Sequence, residues 1–221
     1  MAASLSGQLI VLDGPEGGGK TTQGKRLVDH LRQCGKRAHL VHDPGSTELS
    51  EKIRQMVLDP TIAHIDPRTE VLLYMASRAE MVAEVIEPAL KQGQIIVCDR
   101  FVSSTVAYQG YGAGVPPDAI WEMWQLLFSG LEPDLTIILD LAVEEGFTRI
   151  HGKKVLPDSQ IAFSFHRDRM ESKDRAFHEK VRQGFLAMAE ERPDRFAVVD
   201  ASRPPDDVAR SIAEAVTRVL R

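Results

Sequence analysis

The sequence predicts an α/β fold: a five-stranded parallel sheet with helices on both faces. Two observations carry that prediction. Short apolar runs recur along the 221 residues, each followed by a segment of helical periodicity. The runs are also continuous rather than alternating, as strands buried on both faces must be. Ligands of such sheets sit beyond the carboxyl ends of the strands. Asp13, Asp43, Asp99, Asp140 and Asp200 all close or just follow apolar runs.

The elements follow in order. QLIVLD (8–13) reads as a buried strand and 14–19 as a glycine loop. A helix is predicted over 20–34, stopped by Gly35. RAHLVH (37–42) is the second strand, DPGST a turn, and 48–58 a helix. A long helix is predicted over 67–92, with Pro67 suited to its first turn and Pro88 placed to kink its end. QIIVCD (94–99) is the third strand. Pro116 and Pro117 open a helix to about Phe128. DLTIILD (134–140) is the fourth strand, with a short helix around 143–151. After the aperiodic stretch GKKVLPDSQIAFSFHRD come a helix over 171–191, RFAVVD (195–200) as the fifth strand, and a closing helix over 205–220. No repeat or low-complexity linker divides the chain, so residues 1–221 are expected to form one domain.

Composition excludes several classes. Net charge is −5, against a wholesale nucleic-acid-binding role. No apolar run approaches the ~18 residues of a membrane span, and the N-terminus has no basic signal-peptide region. Two cysteines outside any CxxC pair suit reduced thiols in the cytoplasm.

The most specific motif is GPEGGGKT: Gly14, Pro15, Glu16, Gly17, Gly18, Gly19, Lys20 and Thr21. It fits the phosphate-loop pattern G-x-x-x-x-G-K-[ST], between a strand and a helix. Glycines let backbone N–H groups close around phosphate oxygens, and the helix offers them its positive end. Lys20 can reach the β- and γ-phosphates of ATP, the Thr21 hydroxyl can sit on Mg2+, and Thr22 continues the nucleotide contact. The loop does not say where the phosphoryl group goes. A small-acceptor kinase, a GTPase switch and an ATP-driven interaction protein remain open. A GTPase needs [NT]KxD and DxxG elements, and the sequence holds neither in place.

CDRFVSSTVAYQGYG (98–112) narrows the choice. Asp99 is a Walker-B-like carboxylate for Mg2+, and Arg100 can pair two oxygens of a second phosphate. Ser104, Thr105 and Tyr108 recur at helical spacing, and Gln109 adds an amide, which together suit a polar small molecule. In LLYMASRAEM, Tyr74 and Arg78 lie one turn apart, so a ring and a guanidinium can stack on and bond the edge of a base.

DGPEGGGKTTQ, DPGST, LLYMASRAEM, VCDRFVSSTVAYQG, DRMES, AFHEKVRQGFLAMA and VVDAS together resemble the bacterial thymidylate kinases over nearly the whole chain. That resemblance implies a phosphate-loop NTPase fold with a lid at about 150–170, a homodimer, and phosphorylation of dTMP by ATP with Mg2+. It implies that Tyr74 stacks on thymine, Arg78 bonds its edge and Arg100 binds the dTMP phosphate. Ser104, Thr105 and Gln109 would line the acceptor pocket, and Tyr108 would crowd the sugar 2′ position. Asp43 and Pro44 would form the acceptor loop, Glu16 would approach the acceptor, and Arg149 would pack near adenine. The family's REPGGT reads HDPGST here, with His42 for Arg and Ser46 for Gly. The phosphate loop lacks an arginine, so a lid cation is expected to meet the phosphoryl group. The candidates are Lys153, Lys154, Arg167 and Arg169, with Arg169 preferred. Phe163 and Phe165 are expected to pack on a partner or the core. A deoxynucleoside kinase is the main alternative, since it too uses a phosphate loop and a DR element.

Overall fold

The computed structural model describes residues 6–128, 131–152 and 169–220. Among them are five strands: β1 (Gln8–Asp13), β2 (Ala38–His42), β3 (Ile95–Asp99), β4 (Leu135–Asp140) and β5 (Phe196–Asp200). All pair in parallel, in the order β2-β3-β1-β4-β5, so the phosphate-loop strand is central. The register sets Leu12 beside Asp99, His42 beside Asp99 and Asp13 beside Ile138. Strand ends therefore meet along one edge.

The helices are α1 (Lys20–Gln33), α2 (Glu48–Leu58), α3 (Pro67–Met81), α4 (Glu87–Lys91), α5 (Val102–Thr105), α6 (Pro117–Leu127), α7 (Val143–His151), α8 (Arg175–Glu191) and α9 (Pro205–Thr217). Two apolar layers cover the sheet. α1 and α9 cover one face over Leu12, Val97, Ile137 and Leu139. On the other, Val11, Ile96, Cys98 and Ile138 pack with Phe101, Trp124 and Phe185.

The expected long helix over 67–92 runs as α3, a π-helical turn at Val82–Ile86, and α4. Pro88 lies just after that wider turn, in the first turn of α4, where its missing N–H costs least. The stretch after β3 is no loose loop. It is α5 continued by a π-helical segment, Val106–Gly112, packed against α8. Gly114 turns the chain toward Pro116, at φ 86°. Gly112 instead lets Phe177 approach: a Cβ there would lie 2.7 Å from its ring.

Candidate active site

The phosphate loop sits between β1 and α1. Gly17 and Gly146 of α7 touch backbone to backbone, where a Cβ on Gly17 would meet Gly146 Cα at 2.6 Å. The loop is thereby fixed against α7. Lys20 is folded back on the loop: its Nζ donates to Gly14 O at 3.0 Å and Pro15 O at 2.7 Å. Burial, and then the nearby Arg100 charge, lower the Lys20 pKa to about 8, against the pull of Glu16 and Asp99. Thr21 Oγ1 donates to Asp99 Oδ2 at 2.5 Å. A hydroxyl and a carboxylate side by side are hard oxygen donors, the set that suits Mg2+ alongside phosphate oxygens and water.

Arg100 follows β3 directly, in the left-handed region at φ 71°. A non-glycine residue pays about 1–3 kcal/mol for such a conformation. Its N–H continues the ladder to Leu12 O at 2.9 Å, which turns the side chain back over the phosphate loop. The guanidinium there meets Glu16 Oε1 at 2.5 Å, Ser104 Oγ at 3.1 Å and the Tyr108 hydroxyl at 3.2 Å. Tyr108 also donates to Glu16 Oε1 at 2.6 Å. Burial pushes the Glu16 carboxyl up, but Arg100, Lys20 and the Tyr108 hydroxyl outweigh it and hold it near 2. Beneath them Asp13 accepts from Ser103 and Ser104, both at 2.6 Å. Asp13 is fully buried, and that burial raises its pKa despite Arg100.

The far wall comes from α3. Arg78 is 1% exposed and its Nε donates to Asp43 Oδ2 at 2.6 Å. Its Nη2 donates to Thr105 Oγ1 at 3.0 Å. Tyr74 lies one turn earlier, also buried, and Gln109 of the π-helical segment is buried too. One cavity of about 780 Å3 joins these parts. Glu16, Lys20, Thr21 and Thr22 line one end; Asp43, Pro44, Tyr74, Arg78, Thr105 and Gln109 line the other. Asp99, Arg100, Ser104 and Tyr108 lie along it too.

Other expectations fared differently. Arg169 does not face the phosphate loop, so its assignment as the lid cation is corrected. It is 5% exposed, bonded to Val57 O at 3.1 Å and paired with Glu70. Burial and pairing commit its charge elsewhere. Lys153, Lys154, Arg167, Phe163 and Phe165 lie outside the described residues. Arg149 bridges Glu145 and Ala201 O, tying α7 to the loop after β5, while its neighbour Ile150 lines the cavity. His42 pairs with Glu51 at 2.6 Å, and Ser46, at φ 74°, also donates its N–H to that carboxylate. His42 thus braces the acceptor loop instead of offering a free cation. Asp140 and Asp200 are structural: the first holds Arg182 through both oxygens, the second caps the turn at Ser202.

The residue reading passed over Glu70, Ser103 and Met170. Glu70 had a signal: it lies one turn before Tyr74, in register with Tyr74 and Arg78. Ser103 and Met170 had none, because only the folded chain brings them to Asp13 and to the cavity wall.

Comparison with known proteins agrees with this geometry. Residues 12–212 match the family model described as Thymidylate kinase. A thymidylate kinase of Lacticaseibacillus casei is 41% identical over 97% of this chain and 97% of its own length. One from Deinococcus radiodurans is 42% identical over 96% and 97%. The crystal structure of a thymidylate kinase from Ehrlichia chaffeensis superposes with TM-score 0.73 at 28% identity, covering 95% of this chain and 98% of that one. The family-model match over residues 12–212, with relatives 41% and 42% identical over nearly the full length, places the chain in the thymidylate kinase family.

Proposed function

We propose that the chain transfers the γ-phosphoryl group of ATP to dTMP, giving dTDP and ADP, through the residue roles set out here. The observation that carries this reading is the single cavity lined at once by Lys20, Arg100 and Arg78. The triphosphate lies along Gly14–Thr22 and draws Lys20 off Gly14 O and Pro15 O. The dTMP phosphate takes the place of Glu16 on the Arg100 guanidinium. The base lies against Tyr74, between Arg78 and Gln109, and Tyr108 closes the sugar's 2′ side. The adenine lies near Arg149.

Thr21 and Asp99 would hold Mg2+, which neutralises phosphate charge when bound. The acceptor oxygen is already ionised, so no strong base is required, and positioning with charge neutralisation carries the catalysis. Phosphorylation of a sugar hydroxyl would need a base, and a carboxylate held near 2, as Glu16 is, makes a poor one.

The protein is proposed to work as one domain over residues 1–221, with a lid at about 150–170, in the cytoplasm and without nucleic acid polymers. No helix among the described residues is long and apolar enough to cross a membrane. A homodimer would cover Leu49 and Met56 of α2 and Leu72 of α3, each about half exposed.

A coupled assay with ATP and a panel of monophosphates, with thymidine included, tests the reading. dTMP is expected to be the preferred acceptor. Preferred turnover of dCMP, GMP, AMP or thymidine would overturn it. Chelation should abolish turnover and Mg2+ should restore it.

A further inference from the structure

Behind the base pocket, three side chains from separate parts of the sequence form a buried chain of hydrogen bonds. Gln109 Nε2 donates to Glu70 Oε2 at 2.8 Å. Arg169 Nη1 donates to the other oxygen, Glu70 Oε1, at 2.5 Å. Arg169 also donates through Nε to Val57 O in the last turn of α2, and through its backbone N–H to Leu58 O. Helix carbonyls at a C-terminus lack intrahelical donors and favour a cation, so Arg169 has a fixed seat there. Glu70 is 3% exposed, Gln109 1% and Arg169 5%. Of the three, only Gln109 lines the cavity.

A carboxylate can only accept. Its bond with Gln109 must therefore run from the amide NH2, which fixes the orientation of an amide that could otherwise flip. The Gln109 carbonyl oxygen is then the end left for a ligand. Across the pocket Arg78 has five N–H donors, of which Asp43, Thr105 and the Met75 sulfur take three. The pocket thus offers an acceptor and a donor. That pattern fits a ring N–H flanked by a carbonyl, as in thymine. It opposes cytosine, whose ring nitrogen accepts and whose amine donates.

We infer that Glu70 and Arg169 are positioning residues for base recognition, acting through Gln109. Arg169 holds the Glu70 carboxylate, Glu70 orients the amide, and the amide reads the base. The residues that follow Arg169, Met170 and Glu171, line the same cavity. This inference rests on the dTMP-acceptor reading.

The experiment is a double-mutant cycle between Glu70→Gln and Gln109→Ala, read as KM for dTMP, KM for ATP and kcat. In Glu70→Gln the amide pair can invert. KM for dTMP is expected to rise about tenfold, with kcat and the ATP KM moving less than about twofold. In the Gln109→Ala background the same substitution should change the dTMP KM by less than about twofold, because its route of action is gone. Arg169→Met should reproduce the pattern. A penalty of equal size in both backgrounds, or an equal rise in the ATP KM, would overturn the inference and mark the chain as purely structural. If Glu70→Gln does not fold, the cycle is run with Glu70→Asp, which keeps the charge and withdraws it by one methylene. The same background dependence is expected, and its absence is equally fatal. A wild-type protein that does not phosphorylate dTMP would sink the functional reading instead, so the two failures are distinguishable.

Discussion

The two ends of the cavity are built in opposite ways. The donor end is backbone: a glycine loop whose one lysine rests on the loop's own carbonyls. Its polar groups hold one another until a ligand displaces them. The acceptor end is side chain, and its pairs are already made and sealed. Arg78 and Asp43 are each 1% exposed at the side chain and 2.6 Å apart, with Glu70, Gln109 and Arg169 buried behind them. Every triphosphate looks alike to a phosphate loop, so the donor end gains little from rigidity. A base is told from its neighbours by one donor or acceptor, and only a preorganised wall can read that difference.

The largest test of this contrast is Arg78→Ala. It strands Asp43 in the interior, where one carboxylate oxygen already lacks a partner among the described residues. Breaking a buried pair by removing one member costs about 3–5 kcal/mol. For a domain of this size that corresponds to a Tm loss of about 6–20 °C. Arg78→Met with Asp43→Asn removes both charges and should recover much of that stability without recovering dTMP affinity. A thermal melt of Arg78→Ala that matched wild type would mean the acceptor wall is not rigid, and the contrast would fail.

Next in size is Arg100→Ala. Arg100 stands between the ends and is held by Glu16, Ser104 and Tyr108. Loss of one preorganised charge at a reacting phosphate costs about 10²–10³ in rate. kcat/KM for dTMP should fall by about that factor, while the affinity for ATP changes little. An equal loss of ATP affinity would place Arg100 on the donor side instead.

The same contrast explains what the sequence could reveal. The donor end is local: eight consecutive residues between a strand and a helix, so a pattern names it. All five strands were legible to within one residue, because a continuous apolar run bounded by glycine or proline has few other uses in a buried sheet. The acceptor end is assembled from separate stretches. Tyr74 and Arg78 could be seen one turn apart, and Arg100 beside Asp99. That Arg78 turns to Asp43, and Asp13 to Ser103, could not be seen. The helix after β3 was missed as an element because its two glycines, Gly110 and Gly112, imitate a loop, although its polar spacing already followed a helix. Arg169 was placed in the lid on the strength of the resemblance, and only its partners Glu70 and Val57 show that it points inward.

The smallest expected effect joins the two ends. Lys20 is held near 8, first by burial and then by Arg100. Below that pH the free protein carries the ammonium that a triphosphate requires. As pH rises through about 8 the charge is lost, and a bound triphosphate must supply the energy to reprotonate Lys20. ATP affinity should therefore fall above pH 8, approaching about tenfold per pH unit, until the higher pKa of the complex is reached. In Arg100→Ala, Lys20 loses a repelling neighbour, and Glu16 loses the cation that now offsets its charge. Both changes favour the ammonium, so the fall should begin at higher pH. Calorimetric titration of ATP across pH 7–10 reads this directly, without needing turnover from a variant that has lost it. If the fall began at the same pH in both proteins, the two ends would be electrostatically independent, and Arg100 would act on the acceptor phosphate alone.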